Sequence, residues 1–558
     1  MVKRLIKFVG REVSDIHDAA YVLAIFTFLA QLVALARDRL LASHFGAGQT
    51  LDVYYASFRI PDLIFVSLAS FVSVSVMIPF IQEKVGKGEK ESKEFIANVF
   101  TCFFGAILIT AAVAFFLMPY IISKAYSGFT PEAQEQVVLL SRILLLSPIL
   151  MGVSNLFASI TQAFRRFAVY ALCPVIYNLA TVFGILVLYP KYGLQGIIYG
   201  VLIGAFLHMA LQLPFVQSLG LMPTLRFGIS WKEIKKIISI SISRTLALSI
   251  LNLAVFALLS LASHMNEGSI TIFNLAFNLE SVPMSLIGIS YSMAAFPLLS
   301  QLFIDGKKEK FIEEIGAAMR HVIFLSVPIV MLFIVLRAQI VRVALGAGNF
   351  SWHDTRLTAA CLAIFSIAAI AQSVSLLFVR AYYAAGNSRR PLLVNIFSTV
   401  FIVIFPLFFL KLMQSTPEFT LFLESMLRIE GVSGTEVLTL PLGFTLGSIL
   451  NSAIFFVLFK KDFGSIWEKI RRTLFQSVSS AIIGGAAVYV FLNIFDGIFS
   501  KTTVKGIFAQ GFLSGIGGLL VSVFILKLMQ SKELTEVMDI LRRKIQKPVV
   551  VVPEQTDL

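Results

Sequence analysis

The chain has 558 residues, of which 57% are hydrophobic and 14% charged, with a mean hydropathy of +0.86 and a formal net charge of +14. Soluble domains are roughly 45–50% apolar, so this composition excludes a water-soluble globular protein and indicates a surface that faces lipid. The three cysteines, Cys102, Cys173 and Cys361, lie in or beside apolar runs and form neither a disulfide framework nor a metal-binding pattern.

Fourteen long apolar runs follow one another along the chain. A membrane-spanning helix needs about 20 apolar residues, and backbone groups in lipid must be bonded internally, so each run predicts a transmembrane helix. The runs lie near residues 20–44, 52–82, 95–124, 136–162, 169–190, 193–216, 233–263, 270–300, 318–346, 357–384, 391–413, 438–459, 473–495 and 506–528. The predicted fold class is therefore an all-α polytopic membrane protein.

The first run follows four basic residues, Lys3, Arg4, Lys7 and Arg11, as a secretory signal would. It is too long for a signal peptide, it contains charged residues, and no small-residue cleavage site follows it. We therefore expect it to be retained as the first helix.

The basic residues are distributed unevenly between the two sides of these runs. With both termini inside, 32 of the 46 Lys and Arg residues fall in cytoplasmic segments and nine in outer segments. This is the positive-inside bias of membrane proteins, and it explains the net charge without a nucleic-acid partner. The distribution predicts a multi-pass protein with both termini in the cytoplasm.

An internal repeat at a spacing of 218 residues divides the chain. Pro79 matches Pro297, and Ala163 before one basic turn matches Ala381 before another. Two repeats of six spans each, in the same orientation, are typical of transporters. The predicted domains are residues 1–218 and 219–462, each a six-helix lobe, then 463–530 with two further transmembrane helices, and 531–558 as a cytoplasmic tail. Residues 414–437 are predicted to be an outer loop insertion.

Five arginines remain inside the spans once the loops are counted; they are Arg37, Arg39, Arg59, Arg142 and Arg244. Each costs about 2.5–3.5 kcal/mol to bury unless it meets water or a partner. For Arg37, Arg59 and Arg244 we favour a cationic cavity that binds phosphate. The alternative is an internal ion pair, such as Arg37 with Asp52. Arg39 and Arg142 lie nearer span ends and are expected to extend to the interface.

Few acidic residues accompany these arginines. Asp38 and Asp52 flank the turn at residues 44–48, and Asp52 is expected either to cap a helix or lock that loop, or to act in gating. Glu280 either titrates during transport or pairs with Arg244.

The chain lacks the sequence patterns of enzymes. It has no glycine-rich phosphate loop, nucleophile elbow or HExxH motif. We therefore expect no catalytic residue, metal or cofactor, and energy for transport would come from an ion gradient or the membrane potential.

The first two spans carry recognisable motifs. The segments Arg37-Asp38-Arg39-Leu40-Leu41-Ala42, Phe45-Gly46-Ala47-Gly48 with Asp52, and Phe58-Arg59-Ile60-Pro61-Asp62-Leu63 resemble the MurJ (MviN) family of lipid II flippases. That family belongs to the superfamily of multidrug, oligosaccharidyl-lipid and polysaccharide exporters. The resemblance implies alternating-access transport of an undecaprenyl-pyrophosphate-linked peptidoglycan precursor across the bacterial cytoplasmic membrane. Membrane lipids and cell-wall synthesis proteins are the implied partners.

The resemblance also assigns residues. It places cavity or gating roles on Arg37, Asp52 and Arg59, whereas three further family arginines fall on Gln31, Phe65 and Asn278. These departures reduce the positive charge of the expected cavity. Arg244 is offered as a compensating contact, and Asn278 is kept as a cavity position.

Three alternatives follow from the departures. The chain would export another lipid-linked oligosaccharide, or a drug-like cation, or it would be a non-transporting scaffold for cell-wall enzymes. A cationic cargo is disfavoured because arginines outnumber acids in the spans.

Overall fold

The computed structural model describes residues 16–69, 71–226, 228–500 and 503–546. Over these ranges the chain is helical with connecting turns and contains no strand, which confirms the all-α fold class. The basic residues at positions 3–11 and the tail at 547–558 lie outside the described residues.

The helices follow the apolar runs, with several runs divided into two helices. Up to residue 218 they are α1 (Ile16–Phe45), α2 (Gln49–Ala69), α3 (Val74–Val85), α4 (Glu89–Ala125), α5 (Pro131–Leu144), α6 (Leu146–Ala163), α7 (Phe167–Phe183), α8 (Tyr189–Tyr192), α9 (Leu194–Ala210) and α10 (Leu213–Ser218). Those that follow are α11 (Trp231–Ala262), α12 (Ser269–Pro283), α13 (Ser290–Ile304), α14 (Lys308–Val335), α15 (Arg337–Ala344), α16 (Trp352–Ala384), α17 (Arg389–Ser415), α18 (Pro417–Leu427), α19 (Thr439–Asp462), α20 (Trp467–Asp496), α21 (Val504–Leu528) and α22 (Lys532–Gln546). Two π-helical turns, Gly184–Leu188 and Met284–Ile289, and one 3₁₀ turn, Thr435–Leu438, continue neighbouring helices.

Eleven helical stretches within the described residues are long and apolar enough to cross a membrane. The other three apolar runs are also helical, as α1, as α2 followed by α3, and as α11, but they are not among these eleven. The count of fourteen spans therefore stays a prediction. Large apolar side chains such as Ile109, Phe116 and Phe475 are exposed, as a lipid-facing surface requires.

A proline inside α2 frees a backbone carbonyl. Pro61 has no N–H to donate to the carbonyl of Ser57, and Ser141 of α5 donates its hydroxyl to that carbonyl at 2.9 Å. Ser57 and Ser141 are both fully buried, so an unpaired carbonyl there would cost about 1–3 kcal/mol. This bond holds α2 against α5.

A proline inside α4 is compensated in the same way. Pro119 leaves the carbonyl of Phe115 without its helical donor, and Arg142 Nε donates to that carbonyl at 3.0 Å. The Arg142 guanidinium also lies 4.6 Å from the centroid of the Phe115 ring. Arg142 therefore has a structural partner in addition to the interfacial position expected from the sequence.

The described residues form two compact units. The first contains residues up to Phe277, Ala344–Cys361 and Ser388–Gly447, and the second contains Asn278–Val343, Leu362–Asn387 and the residues from Ser448 onward. These units group residues by contact rather than by sequence repeat, so the lobe boundaries at residues 218 and 462 stay predictions.

The segment at 414–437 differs from the loop expected there. It contains the helix α18, which begins with Pro417 at its first turn and ends at Arg428 in the left-handed conformation. Proline is favoured in the first turn of a helix because its missing N–H needs no partner there.

The second unit contains the packed pair α20 and α21. Gly518 of α21 lies against Val488 of α20, and Ser522 donates its hydroxyl to the carbonyl of Ser480 at 3.1 Å. Small residues allow helices to approach closely in membranes, as the glycine-rich sequence at residues 511–518 predicts.

Candidate functional site

Arg37 lies on α1, where neighbouring polar side chains fix its orientation. Its Nε and Nη2 donate to Asp38 Oδ1 at 2.9 and 2.7 Å, and its Nη1 donates to Asn178 Oδ1 of α7 at 2.8 Å. The Asn178 amide is itself held because its Nδ2 donates to the carbonyl of Pro174 at 2.9 Å. A guanidinium has five N–H donors, so these bonds leave two for another acceptor.

The internal ion pair that the sequence offered as the alternative for Arg37 is present, but its partner is not Asp52. Arg37 pairs with Asp38 instead, and its side chain stays 23% exposed. The Asp52 carboxylate instead accepts hydrogen bonds from two backbone N–H groups at the start of another helix.

Asp52 caps the amino terminus of α12 from outside that helix. It lies in the first turn of α2, is 3% exposed, and accepts hydrogen bonds from Gly268 N at 2.7 Å, Thr271 N at 2.8 Å and Thr271 Oγ1 at 2.7 Å. The first N–H groups of a helix have no partner within it, and the helix dipole favours a negative charge there. Asp52 thus joins the start of α2 to the start of α12.

The turn before α12 permits this approach because it contains a glycine. Gly268 has a φ of +88°, and a Cβ at this position would lie 2.5 Å from the carbonyl oxygen of Ala47. A larger residue would separate the two helix starts.

Arg59 lies two turns after Asp52 on the same face of α2. Its Nη2 donates to Asn274 Oδ1 of α12, and Asn274 is oriented by its own Nδ2 bond to the carbonyl of Ile270 at 2.7 Å. Arg59 Nε is buried and has no hydrogen-bond partner among the described residues. A buried unpaired donor costs about 1–3 kcal/mol, so this nitrogen is available to an acceptor on a ligand.

Further contacts surround the same helix starts. Asn349 Nδ2 donates to the carbonyl of His44 at 2.7 Å, and Ala47 N donates to Asp354 Oδ2 at 3.3 Å. Gly46, with a φ of +67°, forms the turn that allows these bonds, and glycine adopts this backbone conformation readily because it has no Cβ. We call Ser43, His44, Ala47, Asn349 and Asp354 the tip cluster. A pocket of about 360 Å³ adjoins it, lined by polar residues that include Glu267 and His353.

Glu280 belongs to the second unit and is 1% exposed. Its carboxyl accepts one hydrogen bond, from Gln372 Nε2 of α16 at 3.1 Å. Asn278 and Gln31 are exposed, and Phe65 is half-buried. The Arg244 side chain lies outside the described residues, so its expected pairing with Glu280 stays a prediction.

The structure therefore joins Asp52 and Arg59 at the α2–α12 interface and places Arg37 with Asp38 between α1 and α7. The sequence did not predict three of the hydrogen-bond partners of these site residues. They are Thr271, Asn274 and Gln372. Asn274 and Asn278 are spaced four residues apart in an apolar helix, a polar stripe that could have indicated a functional face.

Comparisons with known proteins agree on one family. The family model described as "Lipid II flippase MurJ" matches residues 41–417. A lipid II flippase MurJ of Burkholderia cenocepacia is 22% identical over 380 residues, covering 66% of this chain and 74% of that protein. A probable lipid II flippase MurJ of Rhizobium tropici is 23% identical over 506 residues, covering 86% of this chain and 89% of that protein.

Solved structures show the same fold. The structure titled "Lipid II flippase MurJ, inward closed conformation" superposes with a TM-score of 0.71 at 19% identity, covering 94% of this chain and 100% of the other. An inward-facing multidrug resistance MATE family transporter of the MOP superfamily gives a TM-score of 0.64 at 15% identity, covering 81% of this chain and 99% of the other.

Proposed function

Because the chain belongs to the MurJ family of lipid II flippases, we propose that it moves lipid II from the inner to the outer face of the cytoplasmic membrane by alternating access. The proposal extends to the orientation, with both termini in the cytoplasm, which the distribution of 32 basic residues on one side supports. In this orientation the α2–α12 joint and the tip cluster lie at the outer end of the first unit. In the structure these helix starts are in contact.

The observation that carries this proposal is the capping of α12 by Asp52. Three hydrogen bonds to one carboxylate join two helices whose starts must separate if the outer end is to open. Hydrogen bonds to a charged group contribute about 1.5–3 kcal/mol each. Asp52 is therefore proposed as the principal bond of the outer gate, and Arg59 with Asn274 as the second.

The cargo chemistry suits the two arginines. The pyrophosphate of a polyprenyl-linked precursor offers several anionic oxygens, which guanidinium groups bind through paired N–H donors. Arg37 retains two such donors, and Arg59 retains a buried unpaired Nε. We assign both residues to pyrophosphate binding, with Asp38 holding Arg37 in position. Arg244 is proposed as a third cation, in compensation for the family positions occupied by Gln31, Phe65 and Asn278.

The gate is tested by asking whether the α2–α12 joint opens when Asp52 is removed. In a variant whose three native cysteines are replaced by serine, Ser269→Cys, at a buried position at the start of α12 that makes none of the gate hydrogen bonds, is exposed from outside to a membrane-impermeant thiol reagent. With Asp52 intact we expect slow labelling, and with Asp52→Ala we expect labelling to be at least several-fold faster. Glu418→Ala, an exposed acid at the start of α18, is the matched control and should not change the rate. Equal labelling of the Asp52→Ala and Asp52-intact proteins would contradict the proposed gate.

Transport itself is tested in vesicles that contain fluorescent lipid II on both faces. Wild-type protein should bring the inner-face pool to the outer face, where an impermeant quencher or enzyme reaches it. A parallel vesicle series with another polyprenyl-pyrophosphate oligosaccharide tests the alternative cargo. If neither lipid moves, while depletion in cells displaces cell-wall enzymes without accumulating precursor, the chain is a scaffold and the flippase proposal fails.

A further inference from the structure

Glu280 is a buried acid that the gate and the cargo contacts do not use. It lies within the apolar stretch Ser269–Ile304 and is 1% exposed. A carboxylate can accept about four hydrogen bonds, yet the described residues supply one, from Gln372 Nε2 at 3.1 Å. The group is far less solvated than an ionised carboxylate requires.

The backbone around Glu280 is irregular and closely packed. Pro283 has no N–H to donate to the carbonyl of Leu279, and the π turn Met284–Ile289 follows directly. Such turns occur often at functional sites. Gly288 of this turn lies against α16, where an added Cβ would be 2.8 Å from Ser373 Cβ. The carboxyl therefore lies beside a tight contact between the π turn and α16.

The basic groups on the neighbouring elements of the second unit have other partners. On α14, Arg320 pairs with Glu533 at 3.1 Å, and His321 pairs with Glu536 at 3.1 Å. On α13, Tyr291 stacks on His321, and on α16 the Arg380 guanidinium lies over the Phe296 ring. Among side chains that the structure describes, none forms an ion pair with Glu280.

We propose that Glu280 is a proton-binding site, in which the buried carboxyl beside Gln372 is protonated and needs additional hydration when it ionises. An ionised carboxylate without a counter-charge costs several kcal/mol in apolar surroundings, whereas a neutral acid with one hydrogen bond costs much less. Loss of the proton to water breaks the O–H bond and leaves a carboxylate that must be hydrated. The contact between α12 and α16 then opens, and it closes again when water returns a proton.

A proton site at Glu280 would couple the proposed transport to proton binding and release. Glu280 lies on α12, the helix whose first residues accept the Asp52 cap. A proton that controls how α12 packs on α16 thereby acts on a helix of the outer gate. Only this coupling rests on the proposed function; the proton site itself does not.

Infrared difference spectra of the full chain in lipid discs test the proton site directly. We expect wild-type protein at neutral pH to show the C=O stretch of a protonated carboxyl, lost in Glu280→Gln. Gln372→Met should shift the band because its hydrogen bond is gone, and Glu418→Gln should leave it unchanged. Absence of the band in wild-type protein would overturn the proposal, as would an ion pair with Arg244, which keeps Glu280 ionised.

The coupling is tested by measuring lipid II flipping in vesicles as a function of pH. We expect the wild-type rate to change several-fold across the range in which the infrared band disappears, and the rate of Glu280→Gln to be independent of pH. A Glu280→Gln rate that follows pH as the wild-type rate does would overturn the coupling. If the band titrates but no variant or wild-type protein flips lipid II, the proton site stands and the transport proposal fails.

Discussion

Arg37 is held by neighbouring side chains and still has N–H donors for the anion proposed to bind there. Asp38 and Asn178 take three of its five donors, which fixes the plane of the guanidinium. The remaining two donors are then preoriented, so little entropy is lost when they bind an anion. Lysine carries the same charge but has no planar fork and cannot hold both neighbours in this geometry.

We expect Arg37→Lys to lower the rate of lipid II flipping about tenfold, the equivalent of roughly 1.4 kcal/mol, although the net charge is unchanged. The vesicle assay measures this rate, and Lys505→Arg at an exposed position is the control. A wild-type rate in Arg37→Lys would mean that charge alone is needed.

In the same assay Arg244→Ala should also slow flipping, and an unchanged rate would remove Arg244 from the proposed site.

Helix α5 determines how two proline-containing helices are placed. Its consecutive residues Ser141 and Arg142 donate to the carbonyls freed by Pro61 in α2 and by Pro119 in α4. The sequence indicated that Arg142 would extend to the interface because it lies near a span end. It could not reveal the Phe115 carbonyl as a partner, since that depends on which helix packs beside α5.

A double-mutant cycle tests the bond between Arg142 and α4. Arg142→Ala should lower the free energy of unfolding by about 1–3 kcal/mol because the Phe115 carbonyl loses its donor. Pro119→Ala restores the helical N–H, so Arg142→Ala should cost much less in that background. Thermal unfolding in detergent measures both. Equal losses in the two backgrounds would show that the bond contributes nothing, and Lys124→Ala, exposed on α4, is the control.

Within the second unit, the carboxyl-terminal helix α22 is bonded to its neighbours through Glu533. Arg320 Nε lies 3.1 Å from this carboxylate, and the hydroxyls of Thr473 and Ser531 donate to it at 2.7 and 3.1 Å. Burial alone would raise the pKa of Glu533, but these hydrogen bonds and the Arg320 charge hold that pKa below its usual value. The folded state therefore favours the ionised form.

This lowered pKa predicts an acid-sensitive attachment of α22. The stabilisation is present above the unfolded-state pKa of Glu533 and is lost as the pH falls through its lower folded-state pKa. Protease cleavage between α21 and α22 should accelerate at acidic pH in wild-type protein. Glu533→Gln should be cleaved rapidly at every pH, and Asp539→Asn, an exposed acid on the same helix, should retain the wild-type pH dependence. Cleavage of Glu533→Gln that is slow at neutral pH would contradict this prediction.

At the scale of the whole molecule, composition alone determined the fold class. Apolar runs of the right length must be helical in lipid, and between 22% and 61% of the most apolar segment of each of the eleven spans is buried within the protein. The pairings within the site could not be read in this way. Asp52 bonds to Gly268 across 216 residues, and no local pattern specifies which helix start will meet a given carboxylate.

Hydrogen-bond donors at a helix end explain why Asp52 does not pair with Arg37. Asp52 was the example of an ion-pair partner taken from the sequence, but three donors at the start of α12 bond to that carboxylate. Unpaired N–H groups at helix ends are present in every helix and are invisible in a count of charges. Arg37 instead pairs with the carboxylate of Asp38, its neighbour in the sequence.

The consecutive positions of Ser141 and Arg142 limit how the first unit can move. Adjacent residues of a helix point about 100° apart, so the two side chains reach different neighbours, and any rotation or sliding of α5 that preserves one bond strains the other. Helices α2, α4 and α5 are thereby linked to one another. The movement of the amino end of α2 away from α12 that the proposed gate requires would then favour a joint displacement of these three helices, with its pivot outside them.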